Sequence, residues 1–289
     1  MSKECIAGVS YSQGLAHLAV LEVKEKETKL LHLEEFINAG QNPLWYLEYL
    51  LEPKLRVLKK VDKVSVGLDM ADIILHQFPL DITLSKENQN EHIHWELSNL
   101  VEGYQSKDYI YDLHVLESNP ENQVAEVLAV AVKQLQIYRL QENLERKKIA
   151  LHIVDAAYFG AEQSLLTNFP EVKNKSVVLL YCSHNRIDVG LEIGGTLKKY
   201  RYGIDRTADG VVELVKDVVD NVTLNEIYCS GPAVPSDIKQ PLQNAFGSKV
   251  LMVNPFRQMI TTSTFISYDT FAGIEHRFAS AVGLALKQI

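Results

Sequence analysis

Apolar positions along the chain fall into a pattern that occurs twice. Residues 5–14 form an apolar run that meets a short polar turn and resumes at 15–23, and residues 176–185 and 187–195 repeat the form. β-branched and aromatic side chains around a tight polar turn predict a hairpin in each place. A third strand is predicted after each hairpin, at 30–36 and at 196–202. A helix follows, at 43–58 and 208–219, and then another strand, at 63–68 and 226–229. A β-β-β-α-β unit present twice predicts a duplicated lobe.

Between the copies, residues 78–85 lead into a helix with Ser85 as its N-cap, and Ile93, Leu97 and Leu100 or Val101 form the buried stripe. Residues 109–116 alternate as a strand does, 124–133 predict a second strand and 134–145 a helix. A strand at 149–155 then runs into a helix at 158–166. Near the end, an apolar strand at 250–253 is stopped by Asn254 and Pro255, and residues 277–289 predict a helix rich in Ala and Gly. Its small side chains permit close approach to another element, and Phe278, Val282 and Leu286 recur at spacing four as an apolar stripe.

A chain of 289 residues exceeds what one core usually supports, so two lobes are expected. Its net charge of -8, with no dense run of Lys or Arg, argues against nucleic-acid binding. Cys5, Cys182 and Cys229 are far apart and odd in number, which predicts reduced thiols and a cytoplasmic location. No apolar run reaches the roughly 18 residues a bilayer span needs, and the first residues lack a signal-peptide core. Attachment to a membrane would need a partner. The sequon at Asn221 matters only in a secreted chain.

Taken in order, these segments resemble the type IV pilus assembly PilM family and its relative FtsA. The resemblance rests on Asn254-Pro255-Phe256, on the small-residue helix around 281–286, and on Ile153-Val154-Asp155 followed by a helix. It implies an α/β, two-lobed actin-like fold, a ribonuclease H-like duplicated β-β-β-α-β with a small inserted subdomain in the first lobe. The expected division is 1–173 for lobe 1, with the insertion at about 82–148, and 174–289 for lobe 2, whose last helix closes the fold. A ligand cleft is expected between the lobes.

An ATPase of this kind needs a carboxylate on each phosphate turn to place Mg²⁺, and glycines so that backbone N–H groups reach the phosphates. Where the family's first turn has Asp and Gly, this chain has Ser10 and Ser12, ahead of Gly14, with His17 near the place of a Lys. In the second turn Asp and Gly give way to Tyr181 and Ser183. In the adenosine-side turn Gly231 is followed by Pro232, which removes a donor. A hydroxyl cannot replace a charge against a divalent cation. The expectation is therefore a scaffold without ATP hydrolysis, and with no cofactor; the alternative is an active ATPase or phosphotransferase binding Mg-ATP between the lobes. A filament-forming element like FtsA is a third reading, opposed by the lack of a separate amphipathic helix at the end.

The resemblance also implies a partner, the cytoplasmic tail of a PilN-like inner-membrane protein, which would place this chain peripherally at that membrane. The expected wall is the strand at 78–83 and the helix at 87–104, with Phe78, Leu80, Ile82, Ile93 and Leu97 taking an extended apolar peptide by strand addition. Other candidates have plainer readings. His92, His94 and His114 are expected to be solvated rather than metal ligands, and Asp155 to cap a helix. Asp69, Asp72, Asp205 and Asp209 follow strand ends as loop carboxylates. Asp188 belongs to a strand face. Trp45, Tyr46, Tyr49 and Leu50 form an apolar stripe suited to a core.

Overall fold

The computed structural model describes residues 4–24, 27–37, 61, 63–119, 121–261 and 270–287. The helix predicted at 43–58, with its stripe from Trp45 to Leu50, lies outside the described residues.

The first hairpin is β1 (Glu4–Ser12) and β2 (Leu15–Lys24), paired antiparallel with Ser12 opposite Leu15. β3 (Glu27–Ile37) extends it, and β4 (Lys63–Leu68) returns parallel to β1 with Val9 opposite Val66. β8 (Ala150–Ala156) lies parallel beyond β4. The second copy follows the same plan with β9 (Ser176–Cys182), β10 (Ile187–Ile193), β11 (Thr196–Gly203), β12 (Glu226–Ser230) and β13 (Lys249–Met252). The strand orders β3-β2-β1-β4-β8 and β11-β10-β9-β12-β13 match, so the strand part of the predicted unit occurs twice. In the second lobe, α4 (Ala208–Val219) and α5 (Lys239–Phe246) pack Val211, Val215 and Leu242 on one face of the sheet.

Between β4 and β8 the chain makes a separate three-stranded sheet, β5-β7-β6, from β5 (Ile74–Asp81), β6 (Tyr109–Asn119) and β7 (Val124–Lys133). α1 (Lys86–Leu100) covers one face, and Ser85 caps it by accepting from the N–H of Asn88 at 3.3 Å. Ile93 and Leu97 are buried as expected, but Leu100 is half exposed and Val101 only partly covered. The helix ends there, so the last turn has no partner face. α2 (Gln134–Arg146) then leads into β8.

Two helices close the structure, α3 (Ala157–Asn168) and α6 (Ala279–Leu286), which continues from a 3₁₀ turn at Glu275–Phe278. Phe278, Val282 and Leu286 are buried, and so is every other residue of α6, so its predicted stripe is one side of a helix surrounded by protein. A Cβ on Gly283 would lie 1.7 Å from the carbonyl oxygen of Gly160, and one on Gly8 would lie 1.9 Å from that of Ala281. α6 therefore touches α3 and β1 backbone to backbone, which is what its small residues make possible. A short strand, β14 (Ile260–Thr261), also pairs with β3 of the first sheet. Residues after the expected boundary at 173/174 thus contribute to the first sheet as well as forming the second.

Candidate functional site

The three turns where the resemblance expects a nucleotide are bonded to the chain's own groups. At the β1–β2 turn, Gln13 and Gly14 both have positive φ, and the Gln13 N–H donates to Oδ2 of Asp69 at 2.8 Å. Oδ1 of Asp69 accepts from Ala71 at 3.0 Å and caps the 3₁₀ turn Met70–Asp72. Asp69 is 4% exposed, so it is not the solvated loop carboxylate expected from its position after a strand. Burial, and then the charge of Asp69, raise the carboxyl of Asp72. Ser10 and Ser12 are buried on β1, and the Ser12 hydroxyl has no hydrogen-bond partner among the described residues.

The second turn is closed on itself. Ser183 donates from its N–H and from its hydroxyl to the carbonyl of Arg186, at 3.0 and 2.9 Å. Tyr181, 2% exposed, lies beside Asp69 and Ser280 and is pushed to a higher pKa by burial and then by the charge of Asp69. In the third turn Gly231 has φ +101 and donates to the carbonyl of His276 at 3.2 Å, while Ala233 donates to Cys182 at 3.0 Å. Gln13, Ser183, Gly231 and Ala233 thus turn their backbone donors to acceptors within the chain. Asp188 sits on β10, fully buried, and takes Nε of Arg186 at 2.8 Å together with the hydroxyl of Tyr200. Burial raises its carboxyl and Arg186 opposes that rise.

A second concavity, of about 360 Å³, lies in the first lobe between the inserted sheet and β8. Val130 and Val132 of β7, Ile137 of α2 and Ile153 of β8 line it with apolar surface. His114, Asp155 and Lys287 add polar groups. β6 and β8 are both edge strands of their sheets, and both border this groove. Lys287 donates to Asp155, and the ring of His114 stacks on Phe159 at 4.3 Å. Asp155 is a strand residue held by Lys287, and the cap position of α3 belongs to Ala156, without a side-chain bond.

β7 explains which face is open. Ala125, Val127, Ala129 and Ala131 point to α1, where they pack with Phe78, Leu80, Ile93 and Leu97. The intervening Val130 and Val132 face the groove, as the two-residue period of a strand requires. Of the five residues expected to take a peptide, those four are at most 4% exposed, and only Ile82, beyond the end of β5, is open. They form the internal packing of the insertion, and a docked segment would need another face.

In overall similarity the chain is like a solved PilM–PilN type IV pilus biogenesis complex, at 15% identity over 98% of both chains with a TM-score of 0.77. It is also similar to a protein of actin-like ATPase fold and unknown function from Bacteroides thetaiotaomicron, at 13% identity, covering 88% of this chain and 92% of that one, with a TM-score of 0.57. The fold is two-lobed and actin-like. The ethanolamine utilization protein EutJ from Carboxydothermus hydrogenoformans shares it at 9% identity, covering 99% of this chain and 90% of that one, with a TM-score of 0.50. No protein-family model and no curated protein matches the chain.

On this actin-like frame the remaining candidates are dispersed. His92 meets Glu96 at 3.4 Å, and His94 packs its ring edge-on to Tyr111 at 5.4 Å, so neither is simply solvated. Among the described residues no three His, Cys, Asp or Glu side chains gather as a metal-binding group. Asp205 accepts the N–H and hydroxyl of Thr207 at 3.0 and 2.7 Å ahead of α4, and Asp209 lies in the first turn of that helix. Cys5, Cys182 and Cys229 are free and buried, and burial pushes the Cys229 thiol up to about 12. Among the described residues no helix is long and apolar enough to cross a membrane. Sequence reasoning missed Asp69 as a turn acceptor and the Asp155–Lys287 floor of the groove. The one signal was position, since Asp69 directly follows the apolar run of β4.

Proposed function

We propose that this chain is an actin-like scaffold of an inner-membrane pilus or secretion assembly, and that it holds an extended apolar segment of a membrane partner in the lobe-1 groove without turning over ATP. The observation that carries the reading is the apolar groove bordered by the edge strands β6 and β8. A segment entering it in extended form could pair with β6 or β8 and lay alternate side chains against Val130, Val132, Ile137 and Ile153. Backbone hydrogen bonds contribute about 1 kcal/mol each, and a buried large apolar side chain about 2 kcal/mol. After the cost of ordering the segment, that supports a dissociation constant on the order of micromolar. The likeness to the PilM–PilN complex favours a PilN-like tail as the occupant, and hence a peripheral place at the membrane.

The crevice supports the second half of the reading. The carboxylate of Asp69 accepts from the Gln13 N–H of the β1–β2 turn, and Ser10 and Tyr181 stand where the resemblance expects metal-directing carboxylates.

The test is binding of a synthetic peptide, the short cytoplasmic N-terminus of a bitopic membrane protein encoded beside this chain, followed by hydrogen exchange. Protection gained in β6, β8 and α2 is the expected result. Unchanged exchange there, with or without binding elsewhere, overturns the groove assignment. Thermal melting with 1 mM Mg-ATP tests the rest: a ligand present at 100 times its Kd stabilises by about 2.7 kcal/mol, and a clear upward shift would restore the ATPase reading.

A further inference from the structure

The face that β10 turns toward lobe 1 carries polar residues where an apolar interface is expected. Ile187, Val189 and Leu191 point away, into the core with α4 and α5. Asp188, Gly190 and Glu192 therefore point to the other face, and α3 lies against it so closely that a Cβ on Gly190 would fall 1.8 Å from the Tyr158 hydroxyl. Asp188 takes Arg186 and Tyr200 on Oδ1 alone, and its Oδ2 has no hydrogen-bond partner among the described residues. Glu192 has less support still. It is fully buried, and neither of its carboxyl oxygens has a hydrogen-bond partner of ordinary geometry. The group facing it from α3 is another carboxyl, Glu162.

Two carboxylates facing one another in a low-dielectric interior cannot both be ionised without separating. Burial raises Glu192 well above the ordinary carboxylate range, and the charge of Glu162 raises it further. Glu162 is raised as well, chiefly by burial. The other charged groups on the pair are few. Lys198 of β11 faces Glu192, and Lys287, His114 and Asp155 face Glu162. Tyr158 lies near both carboxyls and offers a hydroxyl with no partner. Among the described residues no cation is in ion-pair contact with Glu192.

We propose that Glu162 and Glu192 form a proton-dependent latch between the lobes, in which a retained proton lets α3 and β10 stay in contact and its loss drives them apart. The proton leaves to solvent and no bond other than O–H is broken. Glu162 links the latch to Asp155 and Lys287, so release is felt at the groove floor. The inference does not depend on what the groove holds.

The sign follows from linkage. A carboxyl raised in the folded state binds its proton more tightly there than in the unfolded chain. Its contribution is complete below the unfolded value of about 4.3 and is lost as pH rises through the folded one.

The experiment compares thermal melting of the wild type and Glu192→Gln from pH 5 to pH 9. The amide cannot ionise, so the expected result is a crossing: the variant melts at or below the wild type at pH 5 and above it at pH 9. A constant offset between the two curves overturns the latch. If Glu192→Gln does not fold, the carboxyl carbons of the wild type are followed by ¹³C NMR over the same range. A resonance assigned to either residue that titrates above pH 6 supports the proposal. Titration of both below pH 5 overturns it.

Discussion

The backbone N–H of Gln13 donates to the carboxylate of Asp69 across 56 positions of sequence, and the same carboxylate holds the N–H of Ala71. One buried side chain therefore satisfies the β1–β2 turn and the 3₁₀ turn after β4. Asp69→Ala leaves both donors without an acceptor, at a cost of about 1–3 kcal/mol for each buried group. A loss of about 3 kcal/mol in urea unfolding is expected, and a smaller loss for Asp69→Asn, which keeps one acceptor. A loss below 0.5 kcal/mol would show that water replaces the carboxylate.

Gly283 and Gly160 meet without a side chain between them. Gly283→Ala forces α3 and α6 apart, and overpacking of this kind costs about 1–3 kcal/mol or more. The melting temperature is expected to fall even though alanine is the better helix former by about 1 kcal/mol. Gly247, with φ +64 at the C-terminus of α5 and nothing near its missing Cβ, is the control for conformation without crowding.

Two substitutions separate groove from packing. Ile153→Arg puts a charge into the groove wall and is expected to weaken peptide binding at least tenfold while leaving the melting temperature within a few degrees. Leu97→Ala removes a fully buried side chain from beneath α1, and a destabilisation of about 2–5 kcal/mol is expected, with affinity kept in the fraction that folds. Titration calorimetry and thermal melting on both variants check the pair of outcomes.

His17 is 2% exposed and bonds Glu35 at 2.9 Å. Burial holds its pKa below the ordinary value, and Arg277 adds to the effect. The folded state thus binds fewer protons than the unfolded one near pH 6. Stability from this group is complete above about pH 6.5 and is lost as pH falls through the folded value. His17→Phe is expected to flatten the decline in unfolding free energy between pH 7 and pH 5. The Glu35 carboxyl, held low chiefly by its bond to His17, contributes its own loss only at more acid pH.

Much of the architecture was legible because strands and turns announce themselves locally. The hairpin at residues 5–23, the helix Ala208–Val219 and the Ser85 cap all follow from neighbours in sequence. Which face of a strand is open does not. β7 is apolar on both sides, so nothing in its residues says that α1 takes Ala129 while Val130 is left to the groove. β10 misleads in the opposite way: Asp188 and Glu192 alternate with apolar residues as on a solvated strand, yet that face is buried against the other lobe. The role of Asp69 depends on a contact that only the folded chain brings together.

Where α3 and α6 meet at Gly160 and Gly283, the Ser280 hydroxyl also donates to the Ala157 carbonyl at 2.6 Å, so the helix contact is both close and bonded. Lys287 lies one helical turn past Gly283, with its N–H still donating to the Gly283 carbonyl at 2.9 Å and its ammonium on Asp155. The seat of α6 on β1 and α3 therefore also fixes the lysine that forms the groove's inner end, so close packing at two glycines and the shape offered to an occupant are set together.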